Sequence, residues 1–198
     1  MNNSLNKNHL SLLKRNVIFE GFDNRHLNEL QYLYGVSKYQ KNQLIEAANC
    51  IPKEIHFVIN GGIKRALQKS KKKDYIFDVT EPNNLDCFFF EWSSKMPSSA
   101  DLISLENETV LISIALMDWD KFLNKHPKLR QIFLDYLFLK YQCIEKRISM
   151  KLLTFKSKDR YQSLINEFPK LNLTLTKKEM AAYIGVSPET ISRLLIHR

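Results

Sequence analysis

The residues best suited to bind another molecule lie near the end of the chain, beyond Thr176. If this segment is helical, Glu189, Ser192 and Arg193 share one side of it and apolar residues occupy the other. An arginine guanidinium forms paired hydrogen bonds with O6 and N7 of guanine, and a glutamate accepts a hydrogen bond from N4 of cytosine. His197 lies on the same side, at an end of the helix that can fray. The side chains of this polar face can form hydrogen bonds with base edges in the major groove of DNA.

Local signals predict two short helices that hold this face. Thr176 and Glu179 form a capping box, which starts a helix. Gly185 can adopt the left-handed conformation that ends a helix without steric strain. Ser187 is a typical N-cap residue and Pro188 a typical first helical residue, so a second helix follows at once. The segment is therefore predicted to be a helix-turn-helix.

The starts of these helices offer groups for the DNA backbone, because helix N-termini and lysines bind phosphates. Glu189 and Arg193 also have a simpler interpretation as a surface ion pair four residues apart. The predicted phosphate-binding residues are Thr176, Lys177, Lys178, Ser187 and Thr190.

The charge distribution agrees with binding to a polyanion. The net charge is +9, with 30 Lys and Arg against 21 Asp and Glu. Residues 146–198 carry 11 basic and four acidic side chains, a net charge of +7, whereas residues 1–145 have a net charge of +2. Such asymmetry indicates a module that faces nucleic acid next to a nearly neutral one. The alternative is a solubilising surface.

The first two thirds of the chain are rich in short strand patterns. Residues 23–34 fit a helix capped by Asp23, and alternating apolar residues then predict strands around residues 55–59, 63–67, 75–79 and 109–116. Asn60, Gly61 and Gly62 mark a turn between two of these strands. This spacing favours an antiparallel sandwich or barrel.

A long helix is predicted from Pro127 to about Lys151, and a further helix capped by Ser157 ends before Pro169. A helix of about 24 residues, roughly 36 Å, is longer than one small sheet needs. We therefore expect one face on the sheet and another on the same helix of a second chain, although a core helix of a monomer is the alternative. The predicted dimer-interface residues are Leu129, Ile132, Phe133, Tyr136, Leu139 and Cys143.

Composition excludes several classes of protein. With 44% apolar residues and few Gly and Pro, the chain is neither disordered nor collagen-like. Cys50, Cys87 and Cys143 are dispersed, so neither a disulfide framework nor a metal site is expected. The chain has no apolar run long enough to span a membrane and no export signal, which predicts a cytoplasmic protein without membrane contact.

The order of these elements resembles the Crp/Fnr family of bacterial transcription regulators. Lys41–Glu46 and Glu54–Arg65 are similar to that family's β-roll segments, and Arg160–Tyr161 and Gly185–Arg193 to its DNA-binding domain. The resemblance implies an α+β fold with a cyclic-nucleotide-binding-like antiparallel β-roll, a long dimerisation helix, a C-terminal helix-turn-helix and DNA bending. The implied domains are residues 1–126, 127–151 and 152–198. With the positions that the resemblance assigns to the recognition helix, the predicted base-reading residues are Ser187, Pro188, Glu189, Ser192 and Arg193.

One region departs from the family pattern. Cyclic-nucleotide-binding members carry a Gly-Glu pair and, about ten residues later, an Arg-Ser pair whose arginine neutralises the phosphate. The corresponding residues here, Phe88–Ala100, contain neither Gly nor Arg. A buried phosphate without a cation is unfavourable, so we predict that cAMP is not the effector and that no cofactor is bound. Haem ligation by His56 is less favoured than a packed or exposed histidine, and Phe88, Phe89, Phe90 and Trp92 form either core or the wall of an apolar ligand pocket.

The sequence thus predicts a homodimeric, sequence-specific regulator that binds double-stranded DNA, with RNA polymerase as a candidate partner and an unknown effector. The first alternative is a small-ligand sensor whose β-roll binds a metabolite and controls DNA binding. A DNA-processing enzyme is the second. It is disfavoured because the aspartates, among them Asp78 and Asp86, fit strand edges or turns better than a catalytic cluster, so no catalytic residue is predicted.

Overall fold

The computed structural model describes residues 12–19, 21–70, 73–153, 155–168 and 175–196, so His197 lies outside the described residues. The strands are β1 (Tyr34–Tyr39), β2 (Leu44–Glu46), β3 (Glu54–Asn60), β4 (Ile63–Ser70), β5 (Lys73–Thr80), β6 (Leu85–Asp86), β7 (Asp101–Ser104) and β8 (Thr109–Ala115). They form two antiparallel sheets, with orders β1-β8-β3-β6 and β2-β7-β4-β5. Together these sheets are the β-roll, called the roll below.

Helices lie before, within and after the roll. The predicted long helix and helix-turn-helix are both present, which together with the antiparallel sheets confirms the predicted fold class. A 3-10 helix (Val17–Phe19) precedes α1 (Asn24–Leu30), α2 (Phe89–Ser93), α3 (Leu116–Lys125), α4 (Pro127–Leu152), α5 (Ser157–Glu167), α6 (Lys177–Ile184) and α7 (Pro188–Ile196).

Several elements differ from the sequence prediction for identifiable reasons. The strands β1, β2, β6 and β7 were not predicted, because most are too short to show alternation and β1 has Gly35, Ser37 and Lys38 on its accessible positions. The helix α3 has no side-chain cap at Ala115, so the sequence contains no start signal from which this helix could be predicted. Ser157 was predicted to cap α5, but Lys156 is the N-cap residue and Ser157 is already helical.

Three hydrophobic clusters stabilise the chain. The roll interior contains Val58, Phe88, Leu102 and Leu111 between the two sheets. A second cluster packs the N-terminal segment, α1, α3 and the first half of α4 against β3 and β8. A third, called the junction cluster below, joins α5, α6 and α7 to Ile76, Val79 and Leu105 of the roll. Both faces of the strands are therefore covered, which explains the continuous burial along β3.

The predicted turn between β3 and β4 depends on Gly61. Its φ of +74° lies in the left-handed region that only glycine adopts without strain. A Cβ atom on this residue would lie 2.4 Å from Thr109 Oγ1 and 2.9 Å from Thr109 Cα. The turn thus lets β3 and β4 pass from one sheet to the other directly beside β8.

The first half of α4 faces its own chain rather than a partner. Leu129 and Phe133, two of the predicted dimer-interface residues, are almost fully buried in the cluster with α3, and this part of the prediction is wrong. The reason is α3, whose Trp119 packs edge-on against the Phe133 ring at a centroid distance of 5.5 Å. Ile132 and Tyr136 are partly buried against the same cluster.

Within the described ranges, no helix has the length and apolar character needed to cross a membrane. In the same ranges, no three His, Cys, Asp or Glu side chains come together as metal ligands would. Cys50, Cys87 and Cys143 are free thiols, and only Cys87 is buried. Burial raises the pKa of the Cys87 thiol to about 12, which keeps it protonated and unreactive.

Candidate nucleic-acid interface

The first helix of the motif, α6, begins and ends as its sequence predicts. The Thr176 hydroxyl accepts a hydrogen bond from the Glu179 N–H, and the Glu179 carboxylate accepts one from the Thr176 N–H at 2.9 Å. At the other end, Gly185 has φ +73° and donates its N–H to the Ala181 carbonyl. The Thr176 hydroxyl also donates to Glu179, so its hydrogen is used within the capping box in this structure.

The second helix, α7, presents the predicted polar face to solvent. Ile191 is fully buried against α6, whereas Ser187, Glu189 and Arg193 are exposed. The Ser187 hydroxyl accepts a hydrogen bond from the Thr190 N–H at 3.3 Å, which confirms Ser187 as the N-cap. The polar face is therefore held by a buried opposite face and by a capped start.

Short-range contacts organise the side chains on this face. The Thr190 hydroxyl lies 3.2 Å from that of Ser187 and accepts a hydrogen bond from Arg193 Nη2 at 3.4 Å. A hydrogen bond from Ser187 lowers the pKa of the Glu189 carboxyl below its ordinary value. Glu189 is thus an anion and Arg193 a cation on the surface that would meet DNA. Two further base-reading residues were predicted on this face. Ser192 is half-buried, whereas Pro188 is exposed.

The predicted phosphate-binding lysines lie at the start of α6. Lys177 and Lys178 are both exposed. Lys178 borders a cleft that α6 forms with Lys41 and Lys64 of the roll. Lys41 and Lys64 of the roll thus lie near the start of α6, across this cleft.

Arg160 supports the turn of the motif, a role that sequence analysis missed. Its Nη1 donates to the Ile184 carbonyl at 2.9 Å, at the C-terminal end of α6. Cations are favourable there because helix C-termini carry unpaired carbonyls and partial negative charge. The Arg160–Tyr161 pair was noted for its resemblance, but no spacing signal connected it with Ile184.

A family comparison identifies this part of the chain. Residues 146–197 match the family model of the Crp-like helix-turn-helix domain. The chain carries a Crp-like helix-turn-helix domain, and its helices α5, α6 and α7 are called the Crp-like domain below. A domain of this kind is a DNA-binding module of transcription regulators, so the prediction of a DNA-binding regulator rather than an enzyme is confirmed at that level. No curated protein sequence matches the chain.

Solved structures share the fold over most of the chain. FixK2 from Bradyrhizobium japonicum has a TM-score of 0.72 and 14% identity, over 83% of this chain and 84% of its own. The c-di-GMP-responsive regulator CLP from Xanthomonas campestris has a TM-score of 0.69 and 11% identity, over 88% and 91%. A CooA mutant from Carboxydothermus hydrogenoformans has a TM-score of 0.67 and 16% identity, over 92% and 83%. With the Crp-like domain, this shared fold confirms the Crp/Fnr resemblance.

The Crp-like domain contacts the roll through an ion pair at the start of α6. Lys64 Nζ on β4 lies 2.7 Å from Glu179 Oε1, and each side chain is only 11% exposed. Burial disfavours the charge on Glu179, but hydrogen bonds from Lys64 and from the Thr176 N–H lower the pKa of its carboxyl overall. The capping box predicts the role of Glu179 at the start of α6, but nothing in the sequence indicates its partner on a distant strand.

Buried charges lie where the roll, α4 and the Crp-like domain meet. Asp86 binds Arg65, whose Nε and Nη2 lie 2.9 and 2.5 Å from Oδ1, while Lys140 and Arg147 of α4 bind Asp78. Burial disfavours the charge on both aspartates, but the cations outweigh it: Arg65 and Lys140 lower the pKa of Asp86, and Lys140 and Arg147 lower that of Asp78. Both aspartates were predicted to lie at strand edges or turns, but they are core anions that neutralise these cations.

A cavity of about 400 Å³ lies between the roll and α4. Phe77, Phe89 and Leu137 supply apolar walls, and Arg65 and Lys140 also border it. The aromatic segment is thus divided: Phe88 is core, whereas Phe89 and Phe90 face the cavity and Trp92 is partly buried. His56 is fully buried, and its Nδ1 lies 2.8 Å from the Ser113 hydroxyl, so it is a packed histidine.

The second half of α4 leaves apolar side chains uncovered. Leu139 and Cys143 of the predicted dimer interface are exposed. Other large apolar side chains on the same stretch of helix are more than two fifths exposed as well: Phe138, Tyr141 and Ile148. The second half of α4 thus presents an exposed apolar surface, whereas Leu129 and Phe133 of its first half are buried in the core.

Proposed function

We propose that this Crp/Fnr-type regulator binds DNA as a homodimer, with one α7 helix in the major groove at each of two half-sites about 34 Å apart. The observation that carries this proposal is the free polar face of α7, on which Glu189 and Arg193 are exposed while Ile191 anchors the helix. Base readout is assigned to Ser187, Pro188, Glu189, Ser192 and Arg193. We also propose a cytoplasmic location and keep RNA polymerase as a predicted partner.

Selection of bound sequences from a random pool of duplexes tests this function directly. We expect the purified protein to enrich one motif that appears twice, as an inverted repeat with fixed spacing. An inverted repeat follows from a two-fold symmetric dimer. Enrichment of a single unrepeated motif would contradict the homodimer, and the absence of any enrichment at low salt would contradict sequence-specific binding.

Replacing Lys177 with alanine should weaken binding to all duplexes to the same extent. The lysine is exposed at the start of α6, and we assign it a phosphate contact that carries no sequence information. The slope of log affinity against log salt should fall in magnitude by roughly one. Fluorescence anisotropy over a salt series measures it. Lys128→Ala is the control. This exposed lysine lies roughly 28 Å before Arg147 along α4, so its replacement should leave the slope unchanged.

The dimer surface proposed here is the exposed apolar part of α4, which includes Leu139. The variant Leu139→Glu should sediment as a monomer, because a charge on this surface is desolvated when two copies associate. Affinity for the inverted repeat should fall by about 100-fold or more, towards that for one half-site, since the second contact is no longer tethered. Met117→Glu is the control: Met117 is 61% exposed, but lies on α3. Dimeric Leu139→Glu protein would overturn this assignment.

The charges around the cavity support independence from cAMP. Arg65 and Lys140, the cations that border it, are already paired with Asp86. A cyclic phosphate bound there would have to compete with a buried carboxylate for the same cations.

A second candidate function is ligand sensing by the same cavity. Its apolar walls and paired cations favour an uncharged, largely apolar molecule that would control DNA binding. Such a ligand should raise the unfolding temperature of the protein in the absence of DNA. If the protein has no effector, only DNA should raise its unfolding temperature.

A further inference from the structure

One buried side chain of α4 bonds to both the roll and the Crp-like domain. Arg147 Nη2 donates to Asp78 Oδ1 of β5 at 2.8 Å, and Nη1 donates to the Tyr183 hydroxyl of α6. Its Nε lies 3.5 Å from Glu167 Oε1 at the end of α5. The Arg147 side chain is only 9% exposed. The guanidinium therefore connects β5, α4, α5 and α6.

These contacts fix direction as well as charge. A guanidinium is planar and its N–H groups point along fixed directions, so the two hydrogen bonds and the ion pair with Glu167 together define its orientation. The group also lies over two aromatic rings, with 5.2 Å to the Tyr183 centroid and 5.8 Å to that of Phe168. Burial disfavours the charge on Arg147, but Asp78 more than compensates and raises its pKa above the ordinary value.

Two other contacts between the roll and the Crp-like domain fix orientation less well. The junction cluster brings Ile76, Val79 and Leu105 against the domain, and hydrophobic contact is not directional. The Lys64–Glu179 ion pair holds α6 near its start. A helix held at one polar point can turn about it, whereas the bond between Arg147 and Tyr183, one helical turn further along, adds a second point.

We propose that Arg147 is a positioning residue that sets the orientation of the Crp-like domain on the roll and α4. In a dimer joined through α4, this orientation fixes the separation and angle of the two α7 helices. Arg147 thereby determines which half-site spacing the protein accepts, although it touches no DNA. The inference rests on the proposed binding of a homodimer to two half-sites.

The test compares duplexes whose half-sites are moved apart or together by one and two base pairs. Each base pair rotates one half-site by about 34° relative to the other, because the DNA helix repeats every 10–10.5 base pairs. Wild-type protein should prefer one spacing strongly. Arg147→Gln should lower affinity for that spacing about tenfold but lower affinity for the shifted duplexes much less, so the preference shrinks. Arg147→Lys should resemble Arg147→Gln, because an ammonium cannot hold three fixed directions.

Two controls separate positioning from folding. Arg130→Gln makes the same change at an exposed arginine near the start of α4 and should keep the wild-type spacing preference. Affinity for a single half-site reports whether the helix-turn-helix is intact and should be unchanged in Arg147→Gln. If Arg147→Gln does not fold, Tyr183→Phe removes one of the bonds with little change of shape, and should reduce the spacing preference in the same direction.

The outcomes are distinct. If wild type prefers one spacing and the variants keep that preference, or lose affinity equally at every spacing, Arg147 is a structural residue only and the inference is wrong. If wild-type protein shows no spacing preference, the proposed function itself fails. Loss of the preference with unchanged half-site affinity supports the positioning role.

Discussion

Replacement of Asp86 by alanine is expected to lower the free energy of unfolding by about 3–5 kcal/mol. The carboxylate is fully buried, where it binds Arg65 and accepts a hydrogen bond from the Thr80 hydroxyl at 2.6 Å. Lys140 lies 3.5 Å from it. Without Asp86, Arg65 and Lys140 keep Asp78 as their acidic partner, which they share with Arg147. An uncompensated charge in the core is costly. Urea unfolding at neutral pH measures the change.

The effect of Asp86 depends on pH in a defined direction. Burial would raise its pKa, but Arg65 and Lys140 lower it below the ordinary value of 3.8. A lowered pKa in the folded state means that the stabilisation is present above 3.8 and is lost as the pH falls towards the folded value. The difference in stability between wild type and Asp86→Ala should therefore be constant near neutrality and shrink below about pH 4.

Asp118→Ala provides the matched control for Asp86. The Asp118 side chain is 41% exposed and, among the described residues, its ion-pair partner is Lys121 on the surface of α3, at 3.3 Å. Its removal should change stability by about 0.5 kcal/mol or less. A loss below about 1 kcal/mol for Asp86→Ala would show that the buried network rearranges without cost.

Replacement of Arg193 by alanine should weaken sequence-specific binding and relax its base preference. The guanidinium is exposed on the free face of α7 and is held against the Thr190 hydroxyl, so it can meet a guanine edge with little loss of side-chain entropy. The specific complex should lose about 1–3 kcal/mol, roughly 5- to 150-fold in affinity, and one base position of each half-site should become permissive.

Anisotropy titrations of the selected site and its single-base variants measure both changes. Arg193→Lys is the informative companion, because it keeps the charge but not the two-pronged geometry. It should retain binding to unrelated duplexes and still lose the base preference. An unaltered base preference in Arg193→Ala would remove this residue from base readout and leave it as the surface partner of Glu189.

The helix-turn-helix was predictable in detail because its determinants are local. The Thr176–Glu179 capping box, the left-handed Gly185 and the Ser187 cap each act within four residues, and the structure confirms all three. Turn chemistry at Gly61 was readable for the same reason. These residue types have few other favourable uses, so their spacing specifies the conformation.

The direction in which α4 presents its faces was not predictable in the same way. Its apolar residues cover more than one side of the helix, so periodicity alone could not show which side meets the roll. The side of α4 that packs on its own chain is set by α3, whose start carries no capping signal. The hydrophobic cluster that α4 forms with α3 buries Leu129 and Phe133, which were predicted to lie at the dimer interface. The contacts of Lys64 and Arg147 join residues that are far apart in sequence, where no local rule applies.

The ion pair between Lys64 and Glu179 has a consequence for protein engineering. Glu179 caps α6 and also attaches it to the roll, so this carboxylate serves folding of the motif and docking of the domain together. A chimera that joins this Crp-like domain to a different sensor domain would therefore need a basic residue at the position of Lys64. Without one, the graft would fold, but the start of its α6 would lose its polar attachment to the sensor.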